Sequence, residues 1–114
     1  MASARAMIER RRSSRVLIRI PIRVFGSLAP GEPLNASAET IAVSRCGALL
    51  RTPFSLPLGT RIEVLNGLSL ETREFRIIRV GEPDDDGWFD LGVEILHPAR
   101  SFWGIQFPDE NRFA

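Results

Sequence analysis

Apolar and polar residues alternate strictly after Val16. Ile18, Ile20, Ile22 and Val24 fall on one face, Arg19 and Arg23 on the other. A period of two rich in β-branched residues predicts a half-buried strand with Ile18, Ile20, Ile22 and Val24 inward, and Pro21 predicts an edge position or a bulge in it. Residues 26–37, with Gly26, Pro30, Gly31 and Pro33, carry the chemistry of turns and predict a loop. A second strand is expected over Ala38 to Val43 and a third over Ala48 to Arg51. Pro53, Pro57 and Gly59 then interrupt the chain before the alternating run Arg61 to Leu65. Asn66-Gly67 predicts a tight hairpin turn, because both residues tolerate positive φ. The next run, Glu71 to Val80, has Phe75 and Ile77 on one face and Ile78 and Val80 on the other, a switch that predicts a bulge or sharp bend. Trp88 to Ile95 completes the set, with Leu91, Val93 and Ile95 alternating against Gly92 and Glu94. Six short strands joined by Gly, Pro and Asn turns predict an all-β fold, and closure into an antiparallel barrel removes the exposed edges. After Pro98 there is room for one helical turn through Phe102-Trp103 and no long helix.

The 114 residues suit one domain with a modest core. We expect an arm over 1–8, with a helical turn near Ala4–Glu9, a barrel over 9–108 and a tail over 109–114. With 44% hydrophobic and 25% charged residues the composition is that of an ordinary globular protein. No apolar run approaches the roughly 18 residues of a membrane span, and the N-terminus lacks the apolar segment of a signal peptide, so a cytoplasmic location is expected. The net charge of +1 conceals an asymmetry: residues 1–25 carry seven arginines against Glu9, while the remainder carries eight against thirteen acids. A negatively charged partner therefore belongs at the basic end.

Catalytic chemistry finds little support. Cys46 and His97 are the only residues of their types, which excludes an internal disulfide and a cysteine-rich metal site, and Asp84-Asp85-Asp86 lies between Pro83 and Gly87 in a turn. No enzyme activity, metal or cofactor is expected. Phe102, Trp103 and Phe107 are expected to plug one mouth of the barrel rather than to stack on a base. Trp88 and Phe89 are adjacent, so one should face inward and the other outward. What remains is the block Arg10-Arg11-Arg12-Ser13-Ser14-Arg15 and the turn Ser44-Arg45-Cys46-Gly47. Guanidinium forks pair bidentately with phosphate or with the O6/N7 edge of guanine, and a tight turn adds a hydroxyl and backbone donors. Gly47 permits either positive φ or close approach of a ligand. A basic arm can equally be a solvated tail or a tether to nucleic-acid phosphates.

Arg11-Arg12-Ser13-Ser14-Arg15, read as R-x-x-x-R, and Ser44-Arg45-Cys46-Gly47, read as S-x-x-G, resemble the two motifs of the PilZ domain in order and separation. The likeness extends over about residues 9–108. Ile20-Pro21-Ile22-Arg23-Val24 resembles the family's first strand, Leu58-Gly59-Thr60 its mid-domain turn and Leu91-Gly92-Val93-Glu94-Ile95 its last barrel strand, and the stretch Phe102 to Pro108 is similar to the ending of some single-domain members. The resemblance implies a six-stranded antiparallel barrel and binding of the bacterial second messenger cyclic di-GMP. Arg11 and Arg15 would contact phosphate and guanine, with Arg10 and Arg12 as neighbours able to substitute. Ser44 would give a hydroxyl and Gly47 the turn geometry. Ala42 stands where the family pattern has Asp or Asn. Two readings follow: a receptor or adaptor that binds cyclic di-GMP weakly, and a degenerate domain that binds no nucleotide and serves as a protein-interaction module. The second expects an exposed apolar surface including Leu28, Leu34, Phe54 and Leu56, and a homodimer is reasonable for so small a barrel. Nucleic acid is the least favoured partner.

Overall fold

The computed structural model describes residues 15–97, 101–105 and 107. The predicted arm, Arg10, Arg11, Arg12 and the tail over 109–114 lie outside them.

Seven strands form: β1 (Val16–Leu17), β2 (Pro21–Ala29), β3 (Glu32–Val43), β4 (Gly47–Thr52), β5 (Arg61–Asn66), β6 (Thr72–Val80) and β7 (Phe89–Ile95). All pairings are antiparallel, in the order β3-β2-β5-β6-β7-β4, and β4 pairs back onto β3 to close a six-stranded barrel. β1 is the additional strand and lies on β3 in line with β2. The expected architecture is thus present, with the first predicted strand divided in two.

The division has a local cause. Leu17 pairs with Ala42 and Pro21 with Glu39, so three residues, Ile18 to Ile20, face two, Ile41 and Thr40. The extra residue makes a bulge. Buried Thr40 fills the gap: its hydroxyl accepts from the Ile20 amide (2.8 Å) and donates to the Ile18 carbonyl (2.6 Å). Ile20, Ile22 and Val24 point inward as expected, whereas Ile18 does not: it lies in the bulge and is exposed, while Val16 upstream packs on the core again and Leu17 faces out.

Residues 26–37 correct the expected loop. β2 and β3 continue as a long hairpin that turns only at Pro30-Gly31, with Pro at the first central position and Gly31 at φ +81° at the second. Glu32–Ala38 pairs with β2 alone, so Pro33 sits on a stretch with one free edge, where its missing N–H costs least. Asn66-Gly67 also departs from expectation. β5 and β6 are joined by residues 67–71, and positive φ falls on Leu70 (+66°), not on Gly67. The buried Asn66 side chain organises this loop: its carbonyl accepts from the amides of Leu68 (2.8 Å) and Ser69 (3.4 Å), and its amide donates to the Phe102 carbonyl (2.9 Å).

Inside the barrel, Ile20, Ile22, Val24, Leu50, Val64, Phe75, Ile77, Leu91 and Val93 form the core. Phe102, Trp103 and Phe107 are buried against it. Phe102 meets Trp103 edge-on with centroids 4.7 Å apart, and both rings lie near Phe75, at 5.5 and 6.0 Å. Such ring pairs add about 0.5–1.5 kcal/mol each beyond burial, which accounts for these aromatics as core. Ser101–Trp103 is a hydrogen-bonded turn, and no helix occurs among the described residues. Phe89 packs on the core, while Trp88 lies under the Arg51 guanidinium at 4.8 Å. Leu34, Phe54 and Leu56 are buried, so of the expected apolar surface only Leu28 is exposed. No described helix is long and apolar enough to cross a membrane.

Candidate functional site

The strand register brings the two sequence motifs together. Val16 pairs with Val43, and one step outward along that ladder sets Arg15 beside Ser44. Both line an open groove of ≈ 390 Å³ on the outside of the barrel, together with Ala42, Gly47, Leu49, Ile78, Arg79, Gly92 and Glu94.

The groove's floor is a row of paired residues running across the sheet: Ala42 on β3, Leu49 on β4, Gly92 on β7 and Arg79 on β6. Leu17 on β1 continues the row beyond Ala42. Two small residues in that row make it concave. Ala42 is buried beneath its neighbours and offers no side-chain donor or acceptor at the position where the resemblance places a polar residue.

Ser44 holds the turn between β3 and β4. Its hydroxyl oxygen accepts from the amides of Gly47 (3.1 Å) and Cys46 (3.2 Å), and its own amide donates to the Gly47 carbonyl (2.9 Å). The hydroxyl proton stays available for an acceptor in the groove. Gly47 is needed for close packing rather than for positive φ: a Cβ there would lie 1.9 Å from the Val93 carbonyl oxygen. The approach Gly47 permits is therefore that of β7, whose Ile95 amide bonds the Cys46 carbonyl at 2.8 Å.

Charge in the groove favours an anion. The Arg15 and Arg79 guanidinium groups make no ion pair or hydrogen bond among the described residues, and the carboxylate of Glu94 is neutralised by Arg76 across the β6–β7 pair. The structure thus brings Arg15, Ser44 and Gly47 together, while Arg10, Arg11 and Arg12 lie outside the described residues. Arg79, Ile78, Gly92 and Glu94 were not anticipated as groove residues. The switch of face at Ile77–Ile78 was the available signal. It is a bulge between Ile77 and Arg79, but placing Arg79 over Gly92 also requires the β6–β7 register.

The acidic turn is a self-contained cap. The Asp84 carboxylate accepts from the amides of Trp88 and Asp86, both at 2.9 Å, and from Arg51 at 2.8 Å. The Trp88 hydrogen bond foremost, then those from Asp86 and Arg51, holds its pKa below the ordinary 3.8.

Barrel, additional strand and groove define the fold of a PilZ domain. Among solved structures, the PilZ domain of YcgR from Escherichia coli, determined with cyclic di-GMP, aligns over 81% of this chain and 82% of its own, with a TM-score of 0.56 and 19% identity. The Bacillus subtilis inhibitor of motility MotI/DgrA aligns over 81% of this chain with a TM-score of 0.55 and 17% identity, and the present chain spans 45% of its length. No family model matches the sequence. No curated protein matches it either.

Proposed function

We propose that this chain is a PilZ-fold receptor or adaptor that binds cyclic di-GMP weakly in the groove between Arg15 and Arg79 and acts in bacterial second-messenger signalling. The observation that carries the reading is the register of β1 on β3, which sets Arg15 beside the Ser44–Gly47 turn. The solved YcgR domain, which shares the fold and carries cyclic di-GMP, supports the same ligand. Weak binding follows from Ala42, because a missing hydrogen bond to a ligand costs on the order of 1–3 kcal/mol, about 5- to 150-fold in affinity.

Isothermal titration with cyclic di-GMP tests the proposal. Ala42→Asn should strengthen binding by a factor in that range, and Arg15→Ala or Arg11→Ala should abolish it. Added salt should weaken it, since guanidinium–phosphate pairing at an exposed groove is screened. Absence of binding even in Ala42→Asn would refute the nucleotide reading. One feature favours the alternative, an interaction module without nucleotide: Ala42 pairs with Leu17 and Leu49, so the groove floor is apolar there, and Leu17 is 82% exposed. That module would retain a protein partner irrespective of cyclic di-GMP.

A further inference from the structure

Arg79 is set up by the fold and used by none of its internal contacts. The bulge between Ile77 and Arg79 brings this side chain into the groove. Its stem lies over Gly92, where a Cβ would come within 2.9 Å of the Arg79 Cβ, so the absence of a side chain on β7 makes the space it occupies. The guanidinium has neither ion pair nor hydrogen bond among the described residues, although Arg76 and Arg73 on the same strand have acidic partners.

Position decides what such a group can touch. Arg79 lies three strands from Ala42 along the floor row, about 14 Å at roughly 4.8 Å per strand. A ligand held by Arg15 and the Ser44 turn at one end must extend across β4 and β7 to meet it. Exposed Ile78 gives that end of the groove an apolar wall, and Leu49 lies on the floor between the two ends, surfaces that suit the face of a flat ring better than a phosphate. A guanidinium fork beside such surfaces matches the O6/N7 edge of guanine and mismatches adenine, which presents an amino group in place of O6.

We propose that Arg79 is a specificity-determining residue that reads the guanine of the bound dinucleotide lying farther from Arg15. This rests on the proposed nucleotide-binding function. The test is isothermal titration of the full chain, and of Ala42→Asn, with cyclic di-GMP and cyclic di-AMP, each combined with Arg79→Ala and Arg79→Lys. Arg79→Ala should weaken cyclic di-GMP about 5- to 150-fold, the worth of one bidentate base contact. The preference for cyclic di-GMP over cyclic di-AMP should fall by the same factor. Arg79→Lys should recover little, because an ammonium is a point charge without the fork. Unchanged cyclic di-GMP affinity in Arg79→Ala, equal losses for both nucleotides, or full recovery with Lys would each overturn this assignment and leave the binding function standing. If neither the natural chain nor Ala42→Asn binds cyclic di-GMP, both proposals fall together.

Discussion

Replacing Gly47 by alanine should damage the barrel more than its one added methyl group suggests. The new Cβ would lie 1.9 Å from the Val93 carbonyl oxygen and 3.0 Å from the Glu94 Cα, both backbone atoms that cannot swing aside. Relief requires β4 and β7 to separate by more than 1 Å, since real Cβ contacts essentially never fall below 3.0 Å. Separation on that scale sacrifices the 2.8 Å bond from the Ile95 amide to the Cys46 carbonyl and strains the Ser44–Gly47 turn. Two hydrogen bonds at about 1 kcal/mol each, with about 1–2 kcal/mol for loosened packing around Val93 and Leu50, give about 3–4 kcal/mol. For 114 residues at ~2.1 cal/mol/K per residue, the corresponding fall in Tm is about 12–17 °C. Gly31→Ala is the control. Gly31 adopts φ +81° with nothing within 4 Å of an added Cβ, so only left-handed strain of about 1–2 kcal/mol applies, about 4–8 °C. Thermal melts followed by far-UV circular dichroism compare the two. A Gly47→Ala protein that melts no lower than Gly31→Ala would refute the reasoning and return Gly47 to a role in ligand approach alone.

Asn66→Ala should destabilise the barrel by about 1–3 kcal/mol in urea titration, because it strands the Phe102 carbonyl and the Leu68 amide. A change in the midpoint too small to resolve would show that water replaces the side chain without loss. The depressed Asp84 pKa gives a pH dependence of definite sign: its contribution is fully present above 3.8 and is lost as pH falls through the lower folded-state value. Trp88 fluorescence in a Trp103→Phe background should therefore stay constant above pH 3.8 and change only below it. Asp84→Asn should shift the emission at neutral pH, and a transition well above 3.8 would assign the effect to another group.

The barrel was legible because its central strands obey one rule, alternation against a single core. Ile20, Ile22 and Val24 and then Leu91 and Val93 follow it without exception. Where the sequence misled, a second interaction overrode the local pattern. Ile18 has the same composition and spacing as Ile20, and only the bulge that the Thr40 hydroxyl on another strand fills leaves it exposed. Gly26, Pro30, Gly31 and Pro33 suggested a loop because each can break a strand, yet just Pro30-Gly31 turns, and Pro33 falls where β3 has one free edge. Leu34, Phe54 and Leu56 looked spare since no alternation claims them, but Leu34 lies in the part of β3 expected as a loop, and Phe54 and Leu56 fold onto the core from between β4 and β5. For the groove, Ser44 and Gly47 could be read as a motif. Arg79 could not, because its place over Gly92 depends on how β6 and β7 align.

The Thr40 clip also makes the placement of Arg15 against the Ser44 turn a matter of counting. Three residues spanning two is the arrangement that the Thr40 hydroxyl completes, and the register of β1 on β3 beyond it sets Arg15 at the groove. After deletion of one residue from Ile18–Ile20, either the ladder becomes regular and Thr40 loses the bulge it fills, or the bulge persists and β1 moves along β3 by one position, which turns its side chains to the opposite face. In the second case Arg15 would keep its charge while losing its place beside Ser44. In this fold, then, the stretch from residue 15 to residue 20 works as a ruler: its length, more than its composition, determines whether Arg15 meets the Ser44 turn.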